Sequence, residues 1–142
     1  MSTKVQRAEQ QPSAAQPDAA LPTVALELLA GLIREVGNGL PEIGELVETR
    51  KWDQQSFLPK KARVGTTVRI AAPSPTTVAM YVHCQTTLVD QWRGLFPELT
   101  FEGNRALVMD ATAPLPLEAL KVCVRSALLY HLAKRNAAGT RR

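Results

Sequence analysis

The apolar residues of this chain change their spacing twice, and that switch limits the fold more than any other feature. Near the N-terminus Val24, Leu28, Leu29, Leu32, Ile33 and Val36 recur at intervals that put them on one stripe of an amphipathic helix. In the middle the period shortens to alternation. Val78, Met80, Val82 and Cys84 take one face of a strand, and Ala79, Tyr81 and His83 the other. Past residue 116 helical spacing returns with Leu117, Leu120, Val124, Ala127, Leu128 and His131. Strands in the middle with helices before and after predict an α+β fold, an antiparallel sheet covered by helices on one face.

Local signals set the expected order as helix, helix, strands, helix, hairpin, helix. Thr23 suits the cap of the first helix and Gly37-Asn38-Gly39 its end. Pro41 then opens a short second helix carrying Ile43, Leu46 and Val47. KWDQQSF (51–57) and TTVRIA (66–71) read as strands on either side of a basic loop that holds Pro59 and Gly65. Thr87, with Asp90 three residues on, starts a third helix whose buried side is Leu88, Val89, Trp92, Leu95 and Phe96; Pro97 stops it. Residues 99–102 and 105–109 pair across Gly103-Asn104 as a tight hairpin.

The length of 142 residues leaves room for one domain. Residues 1–22, rich in Gln, Ala, Pro and Ser, form a disordered tail, residues 23–135 the domain, and residues 136–142 a frayed basic end. No run approaches the ~20 apolar residues of a membrane span, and no signal peptide is evident. Cys84 and Cys123 fit neither a disulfide framework nor a metal-ligand spacing, so a reduced, cytoplasmic setting is expected.

Charge is uneven. Five acids (Glu27, Glu35, Glu42, Glu45, Glu48) face one arginine in residues 27–48, and six bases (Arg50, Lys51, Lys60, Lys61, Arg63, Arg69) face Asp53 in residues 50–69. Two solvated faces that attract each other, or an anion-binding surface beside an acidic helix, both fit this pattern. The sharpest candidate site is the HCQT run between the clearest strand and the third helix, where backbone N–H groups and a helix dipole favour an anion. Thr86 and Thr87 add hydroxyl donors there. Arg69 lies on the less apolar face of its strand, so Arg69, His83 and Arg105, with Asn104 beside it in the hairpin turn, gather if their strands are neighbours. The competing reading braces the hairpin with an Arg105–Glu102 pair and leaves Arg69 to solvent. Trp52 is either the wall of a pocket or core. No glycine-rich phosphate loop, nucleophile elbow or His-Glu-x-x-His occurs. A Cys84 nucleophile would lack a base, because alternation sends His83 to the opposite side.

The pieces KWDQQSF, GTTVR, MYVHCQTTLV, LFP, EGNRA and a terminal YH resemble the YdhG-like, frataxin-like domain family over roughly residues 25–132. The family usually has Pro where this chain has Gln55. The resemblance implies a helix-flanked antiparallel sheet and, for one branch, iron delivery through acidic surface residues. Here those would be Glu35, Glu42, Glu45 and Glu48.

These observations favour a non-enzymatic binding module for a small anionic molecule or a metal ion, with Arg69, His83, Thr86, Thr87, Asn104 and Arg105 as ligand-binding residues. Frataxin-like iron delivery is one alternative. Nucleic-acid binding through residues 50–69 is another; a modest net charge of +4 and the adjoining acidic helix argue against it.

Overall fold

The computed structural model describes residues 15–51 and 54–140. Helix α1 (Ala15–Asn38) and a single 3-10 turn (Pro41–Ile43) lead into β1 (Leu46–Lys51), β2 (Gln54–Pro59), β3 (Val68–Ser74) and β4 (Thr77–Tyr81). Helix α2 (Leu88–Leu95), the hairpin β5 (Thr100–Glu102) and β6 (Ala106–Asp110), and helices α3 (Leu117–Leu128) and α4 (Tyr130–Thr140) complete the chain. The strands make one antiparallel sheet in the order β1-β2-β3-β4-β6-β5. The α+β class and the helix-covered sheet are as the sequence predicts. β4 lies between β3 and β6, so the strands carrying Arg69 and Tyr81 adjoin, and the hairpin carrying Arg105 adjoins Tyr81 from the other side.

Alternation divides the sheet. Phe57, Val68, Ile70, Val78, Met80, Val82, Leu107 and Met109 are buried against Leu29 and Ile33 of α1, Trp92 of α2, and Leu120, Val124 and Leu128 of α3. Trp92 is fully enclosed, and its indole N–H donates to Ser126 Oγ at 2.9 Å, so the largest core side chain carries no unsatisfied donor. At the sheet edge, the Arg34 guanidinium of α1 donates twice to the Glu48 carboxylate of β1, at 2.8 and 2.9 Å.

Several local expectations fail for identifiable reasons. The short second helix stops after Ile43, because Gly44 turns the chain with φ of +79° and releases Leu46 and Val47 into β1. KWDQQSF is not one strand: Lys51 ends β1 and Gln54 begins β2, with Lys51 paired to Gln54. Trp52 and Asp53 lie outside the described residues, as do the expectations for residues 1–14 and 141–142. Helix α1 begins at Ala15, upstream of the expected Thr23 cap, and takes Pro22 inside. Leu95 is 61% exposed rather than buried, because α2 presents it on the outer side. The hairpin turn uses three residues, Gly103, Asn104 and Arg105, with Glu102 opposite Ala106.

The final helix breaks at Leu129, so His131 leaves the apolar stripe and is exposed. The loop between β2 and β3 docks against that break. Thr66 N–H donates to the Ala127 carbonyl at 2.9 Å, and Leu132 N–H donates to the Val64 carbonyl at 2.9 Å. Between them Gly65 presses on backbone: a Cβ there would stand 2.0 Å from the Leu128 carbonyl oxygen. Arg63 precedes this clamp with φ of +67°, a conformation costing a non-glycine residue about 1 kcal/mol.

Candidate functional site

The face of the sheet turned away from α1 and α3 is short in the middle and polar at one end. Ala71, Ala79 and Ala106 form its floor, while Ser56 of β2, Arg69 of β3 and Tyr81 of β4 stand in register across three strands. Beyond Tyr81 the strand pairing ends, and Val82 N–H donates to the Arg105 carbonyl at 2.9 Å, which draws the β5–β6 turn alongside the β4 exit. A cavity of about 610 Å³ opens over this end, lined by Gln54, Ser56, Arg69, Tyr81, Val82, His83, Cys84 and Arg105. Its size suits a small organic molecule rather than a single inorganic ion.

Arg69, His83 and Arg105 are thus brought together as the sequence predicts. Both arginines are exposed, and among the described residues neither makes an ion pair. The expected alternative, an Arg105–Glu102 brace, is absent; only the Arg105 N–H meets the Glu102 carbonyl, at 3.4 Å. His83 Nδ1 accepts the Gln85 N–H at 3.1 Å. In the neutral ring this puts the proton on Nε2, which leaves a donor suited to an anion.

The other three candidates serve differently. Thr86 Oγ1 donates to the His83 carbonyl at 2.8 Å, and Asn104 Nδ2 donates to the Cys84 carbonyl at 3.0 Å, so both brace the junction rather than line the cavity. Thr87 turns away from it. Its N–H donates to Tyr130 Oη at 3.2 Å, its Oγ1 accepts from Gln91, and it lines a separate apolar cavity between α2 and the last two helices. The N–H groups of Gln85, Thr86 and Thr87, which lead into α2, are satisfied within the protein. The side chains that give the cavity its positive sign are Arg69 and Arg105.

Sequence alternation also misplaces Cys84. Because β4 ends at Tyr81 and the chain turns at residue 84, Cys84 escapes the buried face and lines the same cavity as His83. Cys84 is exposed and Cys123 buried, both as free thiols, and burial pushes the Cys123 thiol up to about 12. Gln54, Ser56 and Tyr81 were not singled out by the sequence; parity with Arg69 and His83 is the signal that finds them once strand order is known.

The acidic candidates do not gather. Glu48 is held by Arg34, Glu35 lies 3.6 Å from Lys121, and Glu45 lies 3.7 Å from Lys60. Among the described residues no group of three or more His, Cys, Asp or Glu stands close enough to hold a metal ion. Asp110 accepts from the Thr112 N–H and hydroxyl at 2.8 and 2.6 Å, which closes the end of β6 and holds its carboxyl below the usual range. No described helix is long and apolar enough to cross a membrane.

Fold and cavity together define a small α+β domain with a cation-lined cavity at one end of its sheet. The chain matches no protein-family model, no curated protein and no solved structure.

Proposed function

We propose that this protein is a cytoplasmic binding module, of the YdhG-like kind its sequence resembles, for a small organic anion. Arg69 and Arg105 anchor a carboxylate or phosphate group, and His83 donates a further hydrogen bond from Nε2. The observation that carries this reading is two arginines, free of ion pairs among the described residues, lining one cavity of about 610 Å³. An exposed guanidinium pair with no internal carboxylate offers ten N–H donors (about five from each) to a planar anion. Ser56 and Gln54 supply neutral polar contacts, and Tyr81 a partly apolar wall.

A thermal-shift screen of carboxylates, phosphomonoesters and nucleotides tests this, because a ligand bound by the native state alone raises Tm with its concentration. A dose-dependent rise that Arg69→Ala and Arg105→Ala each remove is the expected result. A flat response across the panel, or a rise untouched by both variants, overturns the reading.

A further inference from the structure

A second basic site lies at another corner of the molecule, where the β2–β3 loop meets α4. A cavity of about 530 Å³ there is lined by Arg63, Gly65, His131, Lys134, Arg135 and Ala138. It is lined by three basic side chains and no carboxylate. Arg135 donates to the Arg63 carbonyl, and Lys134 stands 5.8 Å over the Tyr130 ring, but among the described residues none of the three makes an ion pair. Of the acids that the sequence sets beside the basic stretch, Glu48 is engaged by Arg34, Glu35 by Lys121, and Glu45 by Lys60 at the start of the β2–β3 loop. The neutralisation expected from sequence proximity does not reach this corner.

The corner is also rigid. Gly65 is wedged against the Leu128 carbonyl, two backbone hydrogen bonds pin the loop to the helix break, and Arg63 is held at φ of +67°. The clamp fixes the backbone that carries Arg63 at the wall of this cavity.

We infer that this corner binds the phosphate backbone of a single-stranded nucleic acid. The lining residues Arg63, His131, Lys134, Arg135 and Ala138 are all exposed, so the cations form an open array that follows a linear polyanion rather than enclosing a compact one. Lys61 adds a further base to the same loop, while Lys60 beside it is paired with Glu45 at 3.7 Å. His131, released from the core by the break at Leu129, exposes its ring edge-on to Tyr130, with centroids 5.1 Å apart, and offers a surface on which an unpaired base stacks. With cations and one ring but no carboxylate or amide to read base edges, binding is independent of sequence.

Fluorescence anisotropy of labelled oligouridylate and oligothymidylate of about 12 nucleotides, titrated with the full chain, tests this. Three phosphate contacts give a slope of roughly −2 for log K against log salt on a single strand. Lys134→Glu/Arg135→Glu weakens binding about tenfold or more at about 50 mM salt and flattens the slope. Lys134→Glu alone breaks no hydrogen bond and moves both readings the same way. Arg125→Glu, which changes net charge as much as Lys134→Glu and lines neither basic cavity, leaves affinity within about twofold, and the sheet-cavity pair Arg69→Glu/Arg105→Glu is measured in parallel. The inference is overturned if no oligonucleotide binds at about 50 mM salt, or if the sheet-cavity pair and not the α4 pair abolishes binding. It is equally overturned if tripolyphosphate or anionic vesicles bind this corner and oligonucleotides do not.

Discussion

Two neighbouring residues of β4 face opposite worlds. Met80 is fully buried between the sheet and the helices, whereas Tyr81, one position on, lines the polar cavity between Arg69 and the Arg105 turn. The covered face is continuous: every strand from β2 to β6 places an apolar side chain in, or packed against, one core cluster that also holds residues of α1, α2 and α3. The polar face has alanines where the covered face has valine, isoleucine and methionine, and its long side chains collect at one end. One face is therefore set by packing, where volume is the currency, and the other by charge and reach. A change on the first should cost stability, and a change on the second should cost binding.

The largest expected effect tests that division directly. Met80→Ala leaves a core cavity and should lower stability by about 3 kcal/mol, within the ~2–5 kcal/mol range of such truncations. Tyr81→Ala, half-buried on the cavity wall, should cost about 1 kcal/mol. Urea titration of both variants measures the pair; equal losses would mean that the two faces are packed alike. The two cysteines extend the contrast to reactivity. Native protein should take up one equivalent of a thiol reagent at Cys84, with Cys123 reacting only on unfolding, since its thiolate is suppressed by burial. Because Cys84 lines the sheet cavity, a bound anion should also slow its modification, a readout that needs no substitution.

On the polar side, Arg69→Ala and Arg105→Ala should each change stability by less than about 0.5 kcal/mol while removing about 1.5–3 kcal/mol of affinity for an anion that meets the guanidinium. A stability loss as large as that of Met80→Ala would make these arginines structural and erase the distinction between the faces.

Much of this was legible in the sequence, and the failures share a cause. Alternation through residues 78–82 assigned both faces of β4 correctly, and the grouping of Arg69, His83 and Arg105 needed only strand order to become a cavity. Alternation misled where the strand stopped: it carried Cys84 one step too far, since nothing local marks Tyr81 as the last paired residue. The stripe through Leu128 and His131 misled likewise, because the break at Leu129 answers to the distant β2–β3 loop. Gly65 read as a loop glycine, whereas its role is the close approach of two backbones that no short-range pattern encodes. Elements declared themselves; the points where one element ends against another did not.

The smallest effect lies at the edge where the two faces meet. Glu48 sits on β1 with the inward parity of Phe57, its paired residue, yet it is only partly covered, and Arg34 of α1 reaches it with two hydrogen bonds. That hydrogen-bonded guanidinium holds the Glu48 carboxyl below its ordinary value. A carboxyl with a depressed folded pKa adds stability that is complete above its unfolded value of about 4.3 and is lost as pH falls through the folded one. Arg34 stays charged throughout that range and adds nothing to the pH dependence. With both partners more than a third exposed, the pair should contribute about 0.5–1 kcal/mol at neutral pH and less in high salt. Glu48→Gln should therefore be less stable than the parent at pH 7, and the gap should close near pH 3. A gap that persists in acid would mean that Glu48 holds α1 to the sheet edge by packing, and the edge would then belong with the covered face rather than the charged one.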